Sequence, residues 1–187
     1  MGNSTEVTEL QPGIFQIRGL NGSSHSYVIK GNYKNVMIDS GSDQNFPVLE
    51  RGLFRIGLKV RDIDLVINSH EHCDHIGANR YFHESAMIAA YRLAASKMIS
   101  GDYYVTMYKG NDLNEIPMRV HLWLENMTRI DLGNTACEFF TPRATPRAAS
   151  RSSKPLRAYF FQPTACLPAA RCPTSLNPAA SATISTH

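Results

Sequence analysis

The apolar positions of the chain fall into short runs separated by turn residues. Three runs come first: Gly13-Ile14-Phe15-Gln16-Ile17-Arg18, Ser26-Tyr27-Val28-Ile29-Lys30 and Asn35-Val36-Met37-Ile38-Asp39. They are broken by Asn21-Gly22-Ser23-Ser24 and Gly31-Asn32. Short runs rich in β-branched and aromatic residues between turn clusters read as strands, here an antiparallel meander from Ile14 to Asp39. From Phe46 to Leu58 the period changes. Val48, Leu49, Leu53 and Ile56 recur at helical spacing, with Pro47 in the first turn, where its missing N–H costs nothing. Lys59 to Asp64 is polar and turn-like. Leu65-Val66-Ile67 is an unbroken apolar run, the pattern of a strand buried on both faces. Beyond it the spacing predicts a short helix over 78–82, a strand over 87–90 and a helix over 91–98. Strands over 127–131 and 136–140 follow, around the turn Leu132-Gly133-Asn134. The aromatic-rich segment Asp102 to Tyr108 reads either as core or as the wall of a substrate pocket.

The buried strand at Leu65 leads directly into the most informative stretch, Ser69-His70-Glu71-His72-Cys73-Asp74-His75-Ile76-Gly77. Its order is His-x-His-x-Asp-His. Neutral imidazole nitrogen and carboxylate oxygen are ligands that suit zinc and its first-row neighbours. On an extended backbone residues i and i+2 point the same way, so His70 and His72 can grip one ion. Asp74 and His75 project differently and can serve a second. Cys73 occupies an x position, and a thiolate there offers an alternative ligand or a redox-sensitive group. The isolated His25, His83, His121 and His187 are taken as non-ligands.

This motif resembles the signature of the metallo-β-lactamase-fold hydrolases, which include glyoxalase II-type thioesterases, lactonases and β-lactamases. The resemblance runs from Leu10 to about Phe140, with the three opening runs similar to the family's first strands. It implies an α/β fold, the αββα sandwich, with metals at one edge between two sheets. It also implies that His70 and His72 bind a first zinc and Asp74 and His75 a second, with iron or manganese as alternatives. The reaction implied is hydrolysis of an ester, thioester, lactone or lactam by a metal-bound hydroxide, with Asp74 both a ligand and the residue that orients the hydroxide. Asp39, at the end of the third run, becomes an outer-shell acceptor that orients a ligand imidazole, with a simple strand-end turn as the alternative.

Composition sets the frame. A chain of 187 residues, 43% hydrophobic and 19% charged, is ordinary for a globular protein of one domain or slightly more. No run approaches the roughly 20 apolar residues of a membrane span, and the first residues carry no apolar signal core, so the default expectation is a cytoplasmic protein without membrane contact. The four cysteines show no disulfide framework. The net charge of +3 is unevenly spread. Six basic residues and no acid follow Glu138, leaving thirteen basic and sixteen acidic residues up to and including it. A basic tail ordinarily suggests a nucleic-acid-binding arm, but the acidic body argues against that partner and leaves a small molecule as the expected one.

The tail has a better account. The family supplies a further His from a Thr-Pro-Gly-His-Thr-Pro-Gly stretch and then a bridging Asp. This chain reads Thr141-Pro142-Arg143-Ala144-Thr145-Pro146-Arg147-Ala148. Joining the last base of each codon to the first two of the next permits His or Tyr at Phe140/Thr141 and then Thr-Pro-Gly-His-Thr-Pro-Gly-Ser-Ile. The junctions from Tyr159 to Leu167 permit Phe-Phe-Ser-Ala-Asp-Ser-Leu-Phe, with Ala or Thr where the family has Gly. The loss of one base near the Phe140 codon explains both matches. The expectation is therefore an N-terminal part of the domain over 1–140, and an out-of-frame tail over 141–187 that lacks regular structure and leaves the second sheet largely missing. A metal-dependent hydrolase impaired by truncation is the leading reading; a non-catalytic metal-binding fold is the alternative.

Overall fold

The structure is a computed structural model, and it describes residues 6–101, 106–107, 118–133, 136–140, 157–161 and 182–184. The first sheet has seven strands in chain order. They are β1 (Val7–Gln11), β2 (Ile14–Ile17), β3 (Ser26–Lys30), β4 (Asn35–Ile38), β5 (Leu65–Asn68), β6 (Met87–Tyr91) and β7 (Leu122–Leu124). Strands β2 to β4 form the expected antiparallel meander, β1 pairs antiparallel with β2 ahead of it, and β4 to β7 run parallel. Parallel neighbours need crossovers. These pass through α1 (Phe46–Arg55) between β4 and β5, α2 (Cys73–Ile76) between β5 and β6, and α3 (Arg92–Ser100) after β6. The turn-like stretch after α1 and the expected short helix before β6 are both 3-10 helices, Val60–Asp62 and Gly77–Phe82.

Alternation along the central strands divides the core in two. Tyr27 and Ile29, Val36 and Ile38, Leu65 and Ile67, and Ala89 face one side, where they meet Cys137 and Phe139 of the second sheet and Leu132 just after its strand at 128–131. Val28, Met37, Val66, Ile88 and Ala90 face the other, where they meet Leu49 and Leu53 of α1 and Ala94, Ala95 and Met98 of α3. The uninterrupted apolar run at Leu65 is thus explained: Val66 and Ile67 are both fully buried, on opposite faces. Among the described residues the layers are helix, sheet and sheet. Gly52 brings α1 close to the sheet, since a Cβ there would sit 2.5 Å from Ile17 Cγ2.

The second sheet differs from expectation. It holds four strands, β8 (Thr128–Asp131), β9 (Ala136–Phe140), β10 (Arg157–Phe161) and β11 (Ala182–Ile184), in the order β11-β10-β9-β8. It is smaller than the first sheet but is not largely missing, and two of its strands come from the tail expected to lack regular structure. The edge of β9 explains the difference. Unpaired N–H and C=O groups there recruit the run Tyr159-Phe160-Phe161, whose aromatic residues suit a strand even within a Pro- and Ala-rich tail. Strands β1 and β7 also lacked a clear sequence signal. The rest of 141–187, and the aromatic segment at 102–105 and 108, lie outside the described residues. No helix among the described residues is long and apolar enough to cross a membrane.

The amphipathic reading of α1 is directly testable. Replacing Leu53, fully buried, by Ala should cost about 2–5 kcal/mol in urea unfolding. Phe54→Ala, one position on at a side chain 75% exposed, should change stability by less than about 0.5 kcal/mol. Equal effects at the two positions would contradict the helix orientation.

Candidate metal centre

Because β4 and β5 run parallel, their C-terminal ends lie side by side at one edge of the sheet. Asp39 leaves β4 there with φ of 58°, a left-handed conformation that Asp tolerates better than most residues. Its amide donates to Ile67 O at 2.9 Å, extending the strand pairing. Its carboxylate is fully buried and accepts three hydrogen bonds. Ser69 N donates to Oδ1 at 2.7 Å; Ser69 Oγ, at 2.6 Å, and His75 Nδ1, at 2.8 Å, donate to Oδ2. A carboxylate facing Nδ1 holds the proton on that nitrogen and leaves the Nε2 lone pair free. That Nε2 lies 3.4 Å from Asp74 Oδ2, whose side chain is 40% exposed.

The other two imidazoles gather around this one. The His70 ring lies 4.0 Å from the His75 ring and 4.4 Å from the His72 ring, centroid to centroid. His70 Nδ1 is buried and has no hydrogen-bond partner, which normally costs about 1–3 kcal/mol unless something outside the chain occupies it. Burial, and then the neighbouring His75, push the His70 pKa down to about 4, so the ring is neutral at physiological pH. Burial opposes charging His75 as well, but the hydrogen bond and charge of Asp39 outweigh it and raise its pKa above the ordinary value.

These donors fit a first-row divalent ion in kind: three imidazoles, an open carboxylate and one imidazole nitrogen left without a partner. They do not form a closed cage. Among the described residues no group of three His, Cys, Asp or Glu side chains is arranged to hold a metal ion. The chain brings three rings and Asp74 to one sheet edge, but not onto one common point.

A family model described as the metallo-beta-lactamase superfamily matches residues 19–144. The chain belongs to this superfamily. Among curated proteins it is similar to a "probable metallo-hydrolase" of Methanocaldococcus jannaschii, 44% identical over 71 residues, which are 38% of this chain and 33% of that protein. Its fold is similar to that of a metallo-beta-lactamase of Cronobacter sakazakii with a HARLDQ motif, at 20% identity and a TM-score of 0.62, covering 83% of this chain and 59% of that one. It is also similar to BJP-1, a subclass B3 metallo-beta-lactamase of Bradyrhizobium japonicum, at 23% identity and a TM-score of 0.65, covering 83% and 56%. The chain therefore spans about a third of the curated relative and less than two thirds of these structures. The α/β fold expected from the motif is that of the metallo-beta-lactamase superfamily.

Within this superfamily member the edge that carries the histidines rests on polar residues that offered little signal in the sequence. Asn68 and Asn79 pair through their amides, Asn79 Nδ2 donating to Asn68 Oδ1 at 2.8 Å. Ser40 Oγ donates to Asn79 Oδ1 at 2.8 Å, and the amides of Ser40 and Gly41 donate to His75 O at 2.9 and 3.1 Å. Asn68 at the end of an apolar run was a visible signal; Asn79 offered none. Gly77 has a spatial reason, since a Cβ there would sit 2.6 Å from the backbone nitrogen of Asp43. Burial and the Asp74 charge push the Cys73 thiol up, so it stays protonated in the metal-free chain. His25 Nδ1 accepts from Gly19 N and His121 Nδ1 from Ile88 N, which gives each a structural partner. His187 lies outside the described residues.

Asp39→Asn tests the orienting contact. In the metal-free chain the His75 pKa should fall, because the charge that raises it is gone. A raised folded-state pKa stabilises the fold at pH below the unfolded value of about 6.5, and that contribution fades as pH rises through the folded value. The variant should therefore lose stability relative to the parent mainly on the acid side, read by unfolding from pH 5 to 8. An unchanged His75 titration by NMR would show that Asp39 does not set its protonation.

Proposed function

We propose that this chain carries the metal-binding part of a metal-dependent hydrolase that cleaves an ester, thioester, lactone or lactam, and that as it stands it turns over little. The observation that carries this reading is the gathering of His70, His72 and His75 at the ends of β4 and β5, with His75 oriented by a buried Asp39. His70, His72, Asp74 and His75 would hold zinc, with iron or manganese as other candidates. When bound, such an ion lowers the pKa of water and polarises the scissile carbonyl. Asp74, the most solvent-open of the charged groups at this edge, contributes an oxygen ligand and accepts a hydrogen bond from the attacking water. Asp39 keeps the proton on Nδ1 of His75, and with it the outward-facing lone pair on Nε2.

The second half of the proposal rests on what the donor set lacks. Catalytic zinc sites commonly hold three protein ligands and an open position. No group of three is arranged for this among the described residues, and Arg143 to Ala149 stand where the family has a further His. A small-molecule substrate fits the superfamily; which bond it presents is left to the assay.

Zinc titration and turnover of an activated thioester and a β-lactam, on this chain and on one with a single base restored at the Phe140 codon, test both halves. The expected result is weak zinc binding and negligible turnover for the chain as it is, with tight binding and hydrolysis after repair. Two tightly bound zinc ions and rapid turnover in the unrepaired chain would refute the impairment. Absence of zinc binding in both would refute the metal reading.

A further inference from the structure

Between the two leading histidines sits a residue that the metal reading does not use. After β5 the chain bends through 69–72 instead of running extended, and Glu71 is 2% exposed where His70 and His72 are half-buried. A carboxylate at that depth is tolerated when a cation pairs with it. Lys97 Nζ of α3 does so, at 2.5 Å from Glu71 Oε1.

The two partners differ in how firmly they are held. Ala94, Ala95 and Met98 bury the inner face of α3 against the first sheet, so the Lys97 backbone belongs to the rigid core. The ligand loop is fastened at its ends, Ser69 and His75, through Asp39. Between those ends, at 70–72, the Glu71–Lys97 pair is the tie to the body of the protein among the described side chains. A shift of Glu71 would carry both flanking imidazoles with it, because the three share consecutive peptide planes.

We propose that Lys97 is a positioning residue for the metal centre: by pairing with Glu71 it fixes the middle of the ligand loop and thereby the separation of His70 and His72. This rests on the reading of those histidines as ligands. Lys97 touches neither substrate nor metal. Its effect is on affinity, through the backbone.

The test compares the parent chain with Lys97→Met, Lys97→Arg and Glu71→Gln. Zinc affinity is measured by competition with a chromophoric chelator, and amide exchange in the metal-free proteins. Lys97→Met should bind zinc about 10- to 100-fold more weakly, the range typical of lost supporting contacts. Its amides at 70–72 should exchange faster while those of β4 to β6 stay protected. Lys97→Arg, which keeps the cation, should recover most of the affinity. Glu71→Gln keeps the shape of the carboxylate without its charge and should weaken zinc binding as Lys97→Met does, so the inference stays testable if Lys97→Met fails to fold. If the parent binds zinc and the Met and Gln variants bind it equally well, or exchange at 70–72 does not change, the positioning role is overturned. If the parent binds no zinc, the metal reading itself fails, whatever the variants do.

Discussion

A single buried carboxylate determines how the functional edge of this protein is assembled. Asp39 has no contact with solvent, so its charge is tolerable only with donors on both oxygens. All three donors come from the segment that follows the neighbouring strand: the amide and hydroxyl of Ser69 and the Nδ1 of His75. Satisfying one group therefore locks the end of β4 to the end of β5, starts the histidine-bearing loop at a fixed point and turns one imidazole to a defined face. The left-handed backbone at Asp39 belongs to the same arrangement, local strain held in place by its surroundings.

That arrangement needs a stiff platform. The central strands bury alternate residues against the helices and against the second sheet, so neither face can slide without opening a cavity. The polar groups of the site then collect where the parallel strands end, which is where ligands generally bind in open α/β sheets. Asn68, Asn79 and Ser40 form a buried polar network that reaches the His75 carbonyl and joins residues 39 positions apart through side-chain hydrogen bonds. Among the described residues, His70 Nδ1 is a buried side-chain nitrogen without a hydrogen-bond partner.

The tail shows how composition and pairing can disagree. Its average, rich in Pro, Ala and Arg, argues against regular structure, yet 157–161 pairs with β9 and 182–184 pairs in turn with 157–161. An open strand edge is a strong local template, and the five-residue segment 157–161 is enough to occupy it. Pairing of backbone, however, does not supply ligands. Backbone pairing places 157–161 beside β9, whereas the His and Asp donors expected from 141 onward depend on particular side chains at those positions.

The local parts of this protein were legible in its residues. The spacing of His70, His72, Asp74 and His75, the two-faced burial of Leu65 to Ile67, the meander from Ile14 to Asp39 and the helix begun at Pro47 are all written within windows of a few residues, because strand and helix periods repeat over two to four positions. Asp39 was readable as an orienting residue through the family resemblance and as a turn without it. What only the tertiary structure decided involves partners far apart in the chain. Lys97 meets Glu71 across 26 positions, and Asn79 meets Ser40 across 39. Strands β1, β7 and β10 exist because neighbouring edges needed partners. Such contacts depend on strand order and on which helix packs beside which strand, and no short-range pattern encodes these, because they are fixed only when the whole sheet closes on its core.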